Sequence, residues 1–375
     1  MQLRAAADRF ALDGCIVSAA PHGLGHVHAT YLLETRSSHG HVCRYILQRV
    51  NRRIFPDPEM LMQNTERVIA HLERQVCREG RDRRREVPTL LCTHDGQSFV
   101  QDDDGEVWRC FEKIEGTATF PTMTDPDGAG SVAGAFGRFL RRMANFAPEQ
   151  LQRTIPRFHD AAHELDRFRE VLKEDPLGRA NAAVAESEFI ERHADLTAAW
   201  SGLLSSGRLA VRAIHNDTKV DNVLIEQATG YGVCVIDLDT VMAGCVPIDI
   251  GDCARSILTG PEEIGQPMDM RLFKAVVRGF ADELGEQLDD VEIGQIVLAT
   301  RAIALELGTR FLADFLVGDR WFPVERRSQN LERCRVQLDL VGQIETHVDE
   351  MTEIVHRETA LAHLGGSRGV EGSPK

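Results

Sequence analysis

Short apolar runs divided by turns fill the first third of the chain, and apolar positions with helical spacing dominate the remainder. Runs of roughly 4–8 apolar and β-branched residues bounded by Gly, Pro or Asp are typical of strands. They predict strands at 15–19, 31–35, 44–50, 89–93, 98–102 and 107–116. A short amphipathic helix is predicted at 2–12 and a longer one at 57–75. The arginine-rich segment 81–86 is predicted to be a solvated loop.

Helical spacing continues through the rest of the chain and predicts helices at 131–147, 160–173, 181–195, 195–205, from about 252, and at 269–283, 291–316 and 328–357. The glycine-rich segment 128–134 is similar to part of a dinucleotide-binding fingerprint, but no strand precedes it, so we interpret it as the start of a closely packed helix. A β-rich part followed by a helical part predicts an α+β fold. We place one domain at 1–119, a second at 120–364 and a disordered tail at 365–375.

One polar stretch in the second part carries the candidate chemistry. Two apolar runs, 223–225 and 233–236, flank a glycine-containing turn and predict a hairpin of buried strands. This hairpin would bring Asp217, Asn222 and Asp237 to the ends of neighbouring elements, and their oxygens suit Mg²⁺. The order His-x-Asp-x-x-x-x-Asn followed by a later Asp is a spacing used in phosphoryl transfer. We therefore predict that Asp217 is the base, that Asn222 and Asp237 bind Mg²⁺, and that Asp239 is a candidate ligand for a second ion.

Composition and charge narrow the function classes. The 375 residues include 43% hydrophobic and 27% charged residues, with a net charge of −15, as in soluble globular proteins. Without a basic excess to displace counterions, nucleic acid is not an expected partner. The most apolar stretch, 291–316, contains five charged residues, so no membrane association is expected. Nine scattered cysteines without a Cys-x-x-Cys pair, and an N-terminus without a signal peptide, predict a cytoplasmic protein with free thiols.

At this point a family resemblance becomes specific. Residues 215–222, 236–242 and 249–255 resemble signatures of the aminoglycoside phosphotransferase and choline kinase superfamily, whose fold is similar to that of protein kinases. Segments 47–51 and 310–319 extend the likeness, and the latter favours the N-acetylhexosamine 1-kinase group. The resemblance implies a protein-kinase-like fold with a small β-rich N-lobe and a larger, mostly helical C-lobe. It also implies ATP and Mg²⁺ as cofactors, a small-molecule sugar as substrate, and a monomer or weak homodimer.

The resemblance assigns residues to the nucleotide. A glycine-containing turn at 23–30 is expected to cover the phosphates, although a plain hairpin turn is the alternative. The hinge that binds the purine is expected at 111–115. The residues so assigned are Gly23, Gly25, Thr30, Phe111, Lys113 and Glu115.

The strand at 44–50 lacks the lysine that a kinase-like fold uses to pair the phosphates. Gln48 and Arg49 occupy that place, and because strand side chains alternate, only one of them can face the nucleotide. Gln48 aligns with the lysine, while Arg49 would keep the charge or lie exposed. Glu66 is a candidate partner for a cation here, with a solvated helix position as the alternative.

The remaining assignments concern the acceptor and the catalytic loop. By resemblance, the substrate contacts are His26, Asp217, Arg310 and Trp321, and the residues that brace the loop are His215 and Asp249. Lys219 is expected to stabilise the transferred phosphoryl group, with an ion pair to Asp221 as the alternative. Arg310 shares a helix face with Glu306 and Asp314, so intrahelical ion pairing is its alternative role.

Three functions follow from these observations. The first is a kinase that phosphorylates the anomeric hydroxyl of an N-acetylhexosamine or related hexose. The second is an aminoglycoside or amino-alcohol phosphotransferase, which the acidic net charge permits and Arg310 opposes. The third is a nucleotide-binding regulator, which only the missing strand lysine supports.

Overall fold

A computed structural model describes residues 2–23, 27–260 and 264–366 of the chain. The chain divides into two compact units: the first combines 1–119, 149–155 and 223–242, and the second contains the other segments. Within the described ranges, none of the helices has the length and apolar character needed to cross a membrane. The domain boundaries given above stay predictions, and the predicted tail lies outside the described residues from 367 onward.

An antiparallel sheet is the framework of the first unit, with the strand order β1-β2-β3-β6-β4 and β5 also paired to β6. A second sheet has the order β10-β9-β7, and β8 pairs with β11. The strands are β1 Cys15–Pro21, β2 Ala29–Arg36, β3 Val42–Arg49, β4 Leu90–Leu91, β5 Val100–Gln101, β6 Val107–Glu112, β7 Thr117–Ala118, β8 Arg212–Ile214, β9 Val223–Glu226, β10 Gly232–Val235 and β11 Met242–Gly244. The predicted hairpin of β9 and β10 is confirmed. The strands predicted at 89–93 and 98–102 exist but are only two residues long.

The helices are α1 Gln2–Ala7, α2 Pro58–Arg78, α3 Arg83–Glu86, α4 Pro126–Met143, α5 Ala161–Glu174, α6 Val184–Arg192, α7 Ala194–Ser205, α8 Val246–Leu258, α9 Met270–Leu284, α10 Asp290–Ile293, α11 Ile296–Val317, α12 Gln329–Thr346 and α13 Val348–Gly366. Most of them belong to the second unit. The predicted combination of a small antiparallel sheet and a mostly helical part is thereby confirmed.

One face of the large sheet is buried beneath α1. Leu33, Leu47 and Cys110 are completely buried there, together with Ala7 of the helix. Because side chains alternate along a strand, the neighbours of Leu47 on β3 face the other way. That opposite face carries the polar residues described below.

Three helix predictions and one loop prediction need correction. The segment 81–86 is not a loop, because the Asp82 side chain accepts a hydrogen bond from the Arg84 backbone N–H and starts the one-turn helix α3. Helix α8 begins at Val246, not near 252, with a proline in its first turn, a position that favours Pro. The predicted helix 291–316 is two helices, with Gly294 between α10 and α11. The predicted helix 328–357 is also two, separated at His347.

The glycine-rich segment 128–134 lies inside α4, as predicted, and packs on α9 in the second unit. A Cβ atom added at Gly279 of α9 would lie 2.7 Å from the Gly130 carbonyl oxygen and 2.9 Å from the Gly134 backbone nitrogen. The backbones of the two helices therefore approach closely, and small residues on both sides make this possible.

Candidate active site

The loop after β8 is held by a buried carboxylate. Asp249, in the first turn of α8, accepts hydrogen bonds from the backbone N–H groups of His215 (2.8 Å) and Asn216 (2.7 Å). Burial raises the pKa of Asp249 to about 6, although His215 lowers it. The imidazole of His215 is itself buried against the ring edges of Phe136 and Phe139. Asp249 therefore holds the backbone of residues 215 and 216, and the bracing roles that the resemblance assigned to Asp249 and His215 stay predictions.

Sequence reasoning missed Asp252, which extends this support. Its Oδ2 atom accepts the backbone N–H of Thr218 at 2.7 Å, and its Oδ1 atom pairs with Arg255. The Thr218 hydroxyl donates to the Asp249 carbonyl oxygen at 2.6 Å. The repeat of Asp three residues after Asp249, on one helix face, was the available signal. Together these contacts fix the backbone on both sides of Asp217.

Asp217 lies among three hydrogen-bonding and charged neighbours. The Asn222 Nδ2 atom donates to the Asp217 backbone carbonyl oxygen (2.8 Å) and to its Oδ2 atom (2.9 Å). Lys219 Nζ is 3.3 Å from the same Oδ2 atom. Burial alone raises the pKa of Asp217, but Lys219, His215 and the hydrogen bonds lower it below its ordinary value. At neutral pH Asp217 is therefore an ionised carboxylate that can accept a proton.

Beyond this loop, the second unit contains a buried pair that sequence reasoning did not identify as part of the site. His159 donates from Nε2 to the Asn216 carbonyl oxygen at 2.8 Å, and its Nδ1 atom is 3.5 Å from Glu306. Burial alone lowers the pKa of His159, but Glu306 and the Asn216 carbonyl outweigh that effect and raise it to about 9. A protonated histidine therefore supports the backbone next to Asp217. No local sequence signal connects His159 to a helix so far along the chain.

Arg310 lies near two aromatic side chains of the second unit. The guanidinium carbon of Arg310 is 5.6 Å from the centre of the Phe158 ring and 5.5 Å from that of Phe322. Trp321 is 50% exposed. The Asp314 carboxylate accepts hydrogen bonds from the backbone N–H groups of residues 320–322, and not from the Arg310 guanidinium group. The position of the Arg310 side chain is therefore not explained by an ion pair with Asp314 within α11.

In the first unit, Asp237 begins a tight turn after β10. Its φ angle of 60° is left-handed, a conformation that is unusual for a residue other than glycine. Two residues later, Asp239 is buried, and both of its oxygens accept from Arg109, at 2.5 and 2.7 Å. His28 Nε2 also lies 2.6 Å from Asp239 Oδ2. Burial alone raises the pKa of Asp239, but Arg109 and His28 hold it well below its usual range.

The two candidates for the missing strand lysine lie on opposite faces of β3. Gln48 is on the Asp239 face, where its Oε1 accepts from Arg109 Nε at 2.9 Å and its Nε2 donates to Thr30 at 3.3 Å. Arg49 is on the face covered by α1, with its guanidinium 5.9 Å from the centre of the Trp108 ring. Glu66 is exposed on α2, so it does not partner a buried cation. Sequence reasoning missed Arg109, although a single arginine inside an apolar strand was a signal.

The other residues assigned to the nucleotide are spread along the first unit. Gly23 has a positive φ of 81°, and the backbone N–H of His22 donates to the Thr30 carbonyl oxygen at 2.9 Å. Gly25 and His26 lie outside the described residues. Glu115 is exposed, with Lys113 and Arg44 each 3.4 Å away. The Phe111 ring faces Arg109 at 5.3 Å.

The donor set suits a hard cation. Because both hydrogen bonds to Asp217 come from the Asn222 nitrogen, the amide oxygen of Asn222 points away from that carboxylate. Oxygen donors of this type are those that Mg²⁺ prefers. Asn222 belongs to the second unit and Asp237 to the first, so their joint binding of one ion stays a prediction. One oxygen or nitrogen atom from each of His28, Asp237 and Asp239 also lies within 4.8 Å of the others.

Comparison with known proteins gives the same fold. An aminoglycoside phosphotransferase from Alicyclobacillus acidocaldarius superposes with a TM-score of 0.63 at 14% identity, covering 94% of this chain and 96% of that one. A microcompartment-associated aminopropanol kinase gives 0.56 at 16% identity, with 94% and 98% covered. A choline kinase from Cryptosporidium parvum gives 0.53 at 12% identity, with 91% and 92% covered.

A family model described as "Phosphotransferase enzyme family" matches residues 18–285. That range contains the whole loop around Asp217, the Asp237 turn and the first strands. The match extends over more than half of the chain, and the chain therefore belongs to the phosphotransferase enzyme family.

Proposed function

We propose that the protein is an ATP- and Mg²⁺-dependent kinase that phosphorylates the anomeric (C1) hydroxyl of an N-acetylhexosamine or a related hexose. The observation that supports phosphotransfer is the position of the Asp217 carboxylate, which accepts a hydrogen bond from Asn222 at 2.9 Å and lies 3.3 Å from Lys219 Nζ. Family membership supports the same class of reaction on a small-molecule alcohol. The sugar and its hydroxyl rest on the resemblance of residues 310–319.

The reaction would proceed by direct in-line transfer. The substrate hydroxyl oxygen attacks the γ-phosphorus while its proton moves to Asp217, and the bond to the β-phosphate oxygen breaks to release ADP. Lys219, beside the base, would stabilise charge on the transferred group. Asn222 and Asp237 would hold Mg²⁺, which would neutralise negative charge on the phosphates when bound. The turn at 23–30 and the segment 111–115 would bind the nucleotide.

The two carboxylates on the same helix as Arg310 already have partners within the protein, which favours a neutral acceptor over a polycation. Cationic substrates require free acidic groups, whereas Glu306 faces His159 and the Asp314 carboxylate is engaged by backbone N–H groups. Arg310 could donate two parallel hydrogen bonds to hydroxyl or acetamide oxygens. Trp321, half exposed, offers an aromatic plane to a pyranose face.

A second candidate is an aminoglycoside or amino-alcohol phosphotransferase. It is favoured by the structural similarity to an aminoglycoside phosphotransferase and an aminopropanol kinase, and the net charge of −15 is compatible with a cationic substrate.

We also propose that the protein is located in the cytoplasm and is a monomer or a weak homodimer.

A substrate panel separates the candidates. ADP release would be measured with N-acetylhexosamines, plain hexoses, aminoglycosides and amino alcohols. We expect the highest kcat/KM with an N-acetylhexosamine, and a product that no longer reacts as a reducing sugar because C1 is blocked. Turnover of amino alcohols alone would establish the second candidate. Nucleotide binding without turnover of any class would point to a regulator.

The Asp217→Asn variant tests the base. We expect kcat to fall by about 10²–10⁴-fold while ATP affinity stays within a few-fold. Asp166→Asn is the matched control, because Asp166 is exposed on α5 of the same unit. Turnover of Asp217→Asn within a few-fold of the wild type would show that another group accepts the proton.

A further inference from the structure

Arg109 is the centre of a polar cluster of four side chains in the first unit, the others being Asp239, Gln48 and His28. Its guanidinium group is 2% exposed and binds both oxygens of Asp239 with its two terminal nitrogens. Its Nε atom donates to Gln48, and the guanidinium plane faces Phe111. Every donor nitrogen of Arg109 therefore has an acceptor among protein side chains.

His28 also binds Asp239, at the Oδ2 atom that accepts from Arg109. The backbone N–H of Asn51 donates to His28 Nδ1 at 3.1 Å, which leaves Nε2 as the nitrogen that donates to Asp239. The Asp239 backbone is fixed as well, because the Thr154 hydroxyl donates to its carbonyl oxygen at 2.7 Å. Asp239 is thus immobilised through its carboxylate and its main chain.

A buried ion pair contributes little net stability, because the cost of desolvating both charges offsets much of their attraction. The position of this pair indicates a different role. Arg109 and Gln48 are direct partners across β6 and β3, so the cation lies one strand away from the place where this fold carries a lysine. Its anion, Asp239, lies two residues after Asp237, whose left-handed backbone needs support from its surroundings.

We propose that Arg109 is a positioning residue for the metal site: with Gln48 and His28 it clamps Asp239 and so fixes the turn that presents the Asp237 carboxylate to the cation. In this chain the positive charge lies on Arg109 of β6, next to the β3 position where a kinase-like fold has its lysine. Arg109 holds the turn at Asp237–Asp239 and does not bind the nucleotide phosphates. Asp239 is then an anchor and not a ligand of a second ion. This inference rests on the proposed function.

Arginine suits this role better than lysine. Its planar fork matches a carboxylate with two parallel hydrogen bonds and leaves Nε for a third partner, whereas an ammonium group has no fixed plane. The fork therefore fixes the orientation of Asp239 as well as its charge. Removal of such outer partners weakens metal binding by about 10–100-fold in known sites.

The test measures Mn²⁺ binding to protein saturated with a non-hydrolysable ATP analogue, by calorimetry or electron paramagnetic resonance. We expect Arg109→Met to weaken Mn²⁺ binding by about 10–100-fold. Arg109→Lys keeps the charge but loses the fork, so an intermediate loss is expected, and it replaces Arg109→Met if that variant does not fold. His28→Gln should shift affinity in the same direction.

Arg138→Met is the matched control. Arg138 is also a buried arginine, paired with Glu283 at 2.9 Å, but it lies on α4 of the second unit. We expect it to lower the melting temperature while Mn²⁺ affinity stays within about two-fold. If Arg138→Met and Arg109→Met lost the same Mn²⁺ affinity, the loss would be explained by general destabilisation of the protein, and the proposal would be overturned.

Two other outcomes also decide the matter. Unchanged Mn²⁺ affinity in Arg109→Lys and His28→Gln would overturn the positioning role and leave the proposed function intact. Tighter binding in Arg109→Met would overturn it too, because Asp239 would then be a ligand that Arg109 normally occupies. A wild-type protein that binds no Mn²⁺ with the nucleotide would overturn the proposed function, and the inference with it.

Discussion

The pair of His159 and Glu306 predicts that stability falls as the pH rises above neutrality. The pKa of His159 is about 9 in the folded protein, against about 6.5 for a histidine in an unfolded chain. Between these values the folded protein binds more protons than the unfolded chain, so the free energy of unfolding decreases with pH. The contribution is complete below pH 6.5 and lost as the pH rises through 9. A separation from 6.5 to about 9 corresponds to an upper limit of about 3 kcal/mol.

The perturbation is Glu306→Gln, which removes the carboxylate that keeps His159 protonated. Urea unfolding at intervals from pH 6 to pH 10 would give the free energy of unfolding for both proteins. We expect the wild type to exceed the variant by the largest margin near pH 6 and by little at pH 10. Glu286→Gln, at an exposed position in the same unit, should lie parallel to the wild type throughout. A margin between wild type and Glu306→Gln that is the same at both ends of the range would refute the assignment of the proton to His159.

Two further predictions concern the second unit. Asp249→Asn offers one acceptor oxygen to the two backbone N–H groups of residues 215 and 216, so we expect a loss of about 1–3 kcal/mol by urea unfolding together with lower kcat; an unchanged unfolding midpoint would contradict it. Gly279→Ala drives a methyl group into the Gly130 carbonyl and should cost about 1–3 kcal/mol. Gly342→Ala, on α12 with nothing within 4 Å of the new atom, should instead gain about 0.5–1 kcal/mol; equal effects of the two alanines in thermal unfolding would contradict the packing argument.

Elements with strong local signals could be predicted from the sequence. The β9–β10 hairpin has two apolar runs around a glycine turn, and the glycine-rich segment 128–134 runs into apolar residues with helical spacing, so the hairpin and α4 were both expected. Element ends were less predictable, because they depend on single capping contacts. The break between α12 and α13 at His347 carries neither Gly nor Pro, and α8 starts six residues before the expected position because Pro247 fits the first turn.

The candidate site divides in the same way. Asp217, Lys219 and Asn222 lie within one loop, and their spacing identified all three as candidate site residues; the coordinates add that Lys219 and Asn222 both contact Asp217. Sequence reasoning gave Asp221 as the alternative partner of Lys219, and only the coordinates show the 3.3 Å contact between Lys219 and Asp217. Spacing also could not decide between Gln48 and Arg49, since that choice depends on which face of β3 is covered by α1.

The groups expected to react are local in sequence, whereas the groups that hold them come from distant segments. Arg109 is separated from Asp239 by 130 residues, and His159 contacts both the loop around Asp217 and a helix much later in the chain. Each is a buried cation paired with a carboxylate, and each supports the backbone or turn beside an aspartate assigned to catalysis. A charge buried for this purpose acts through geometry, so its removal should alter metal affinity or turnover without removing any ligand contact. The sequence motif formed by residues 215–222 and Asp237 is therefore short. The geometry of the site also depends on residues outside that motif, such as Arg109 and His159.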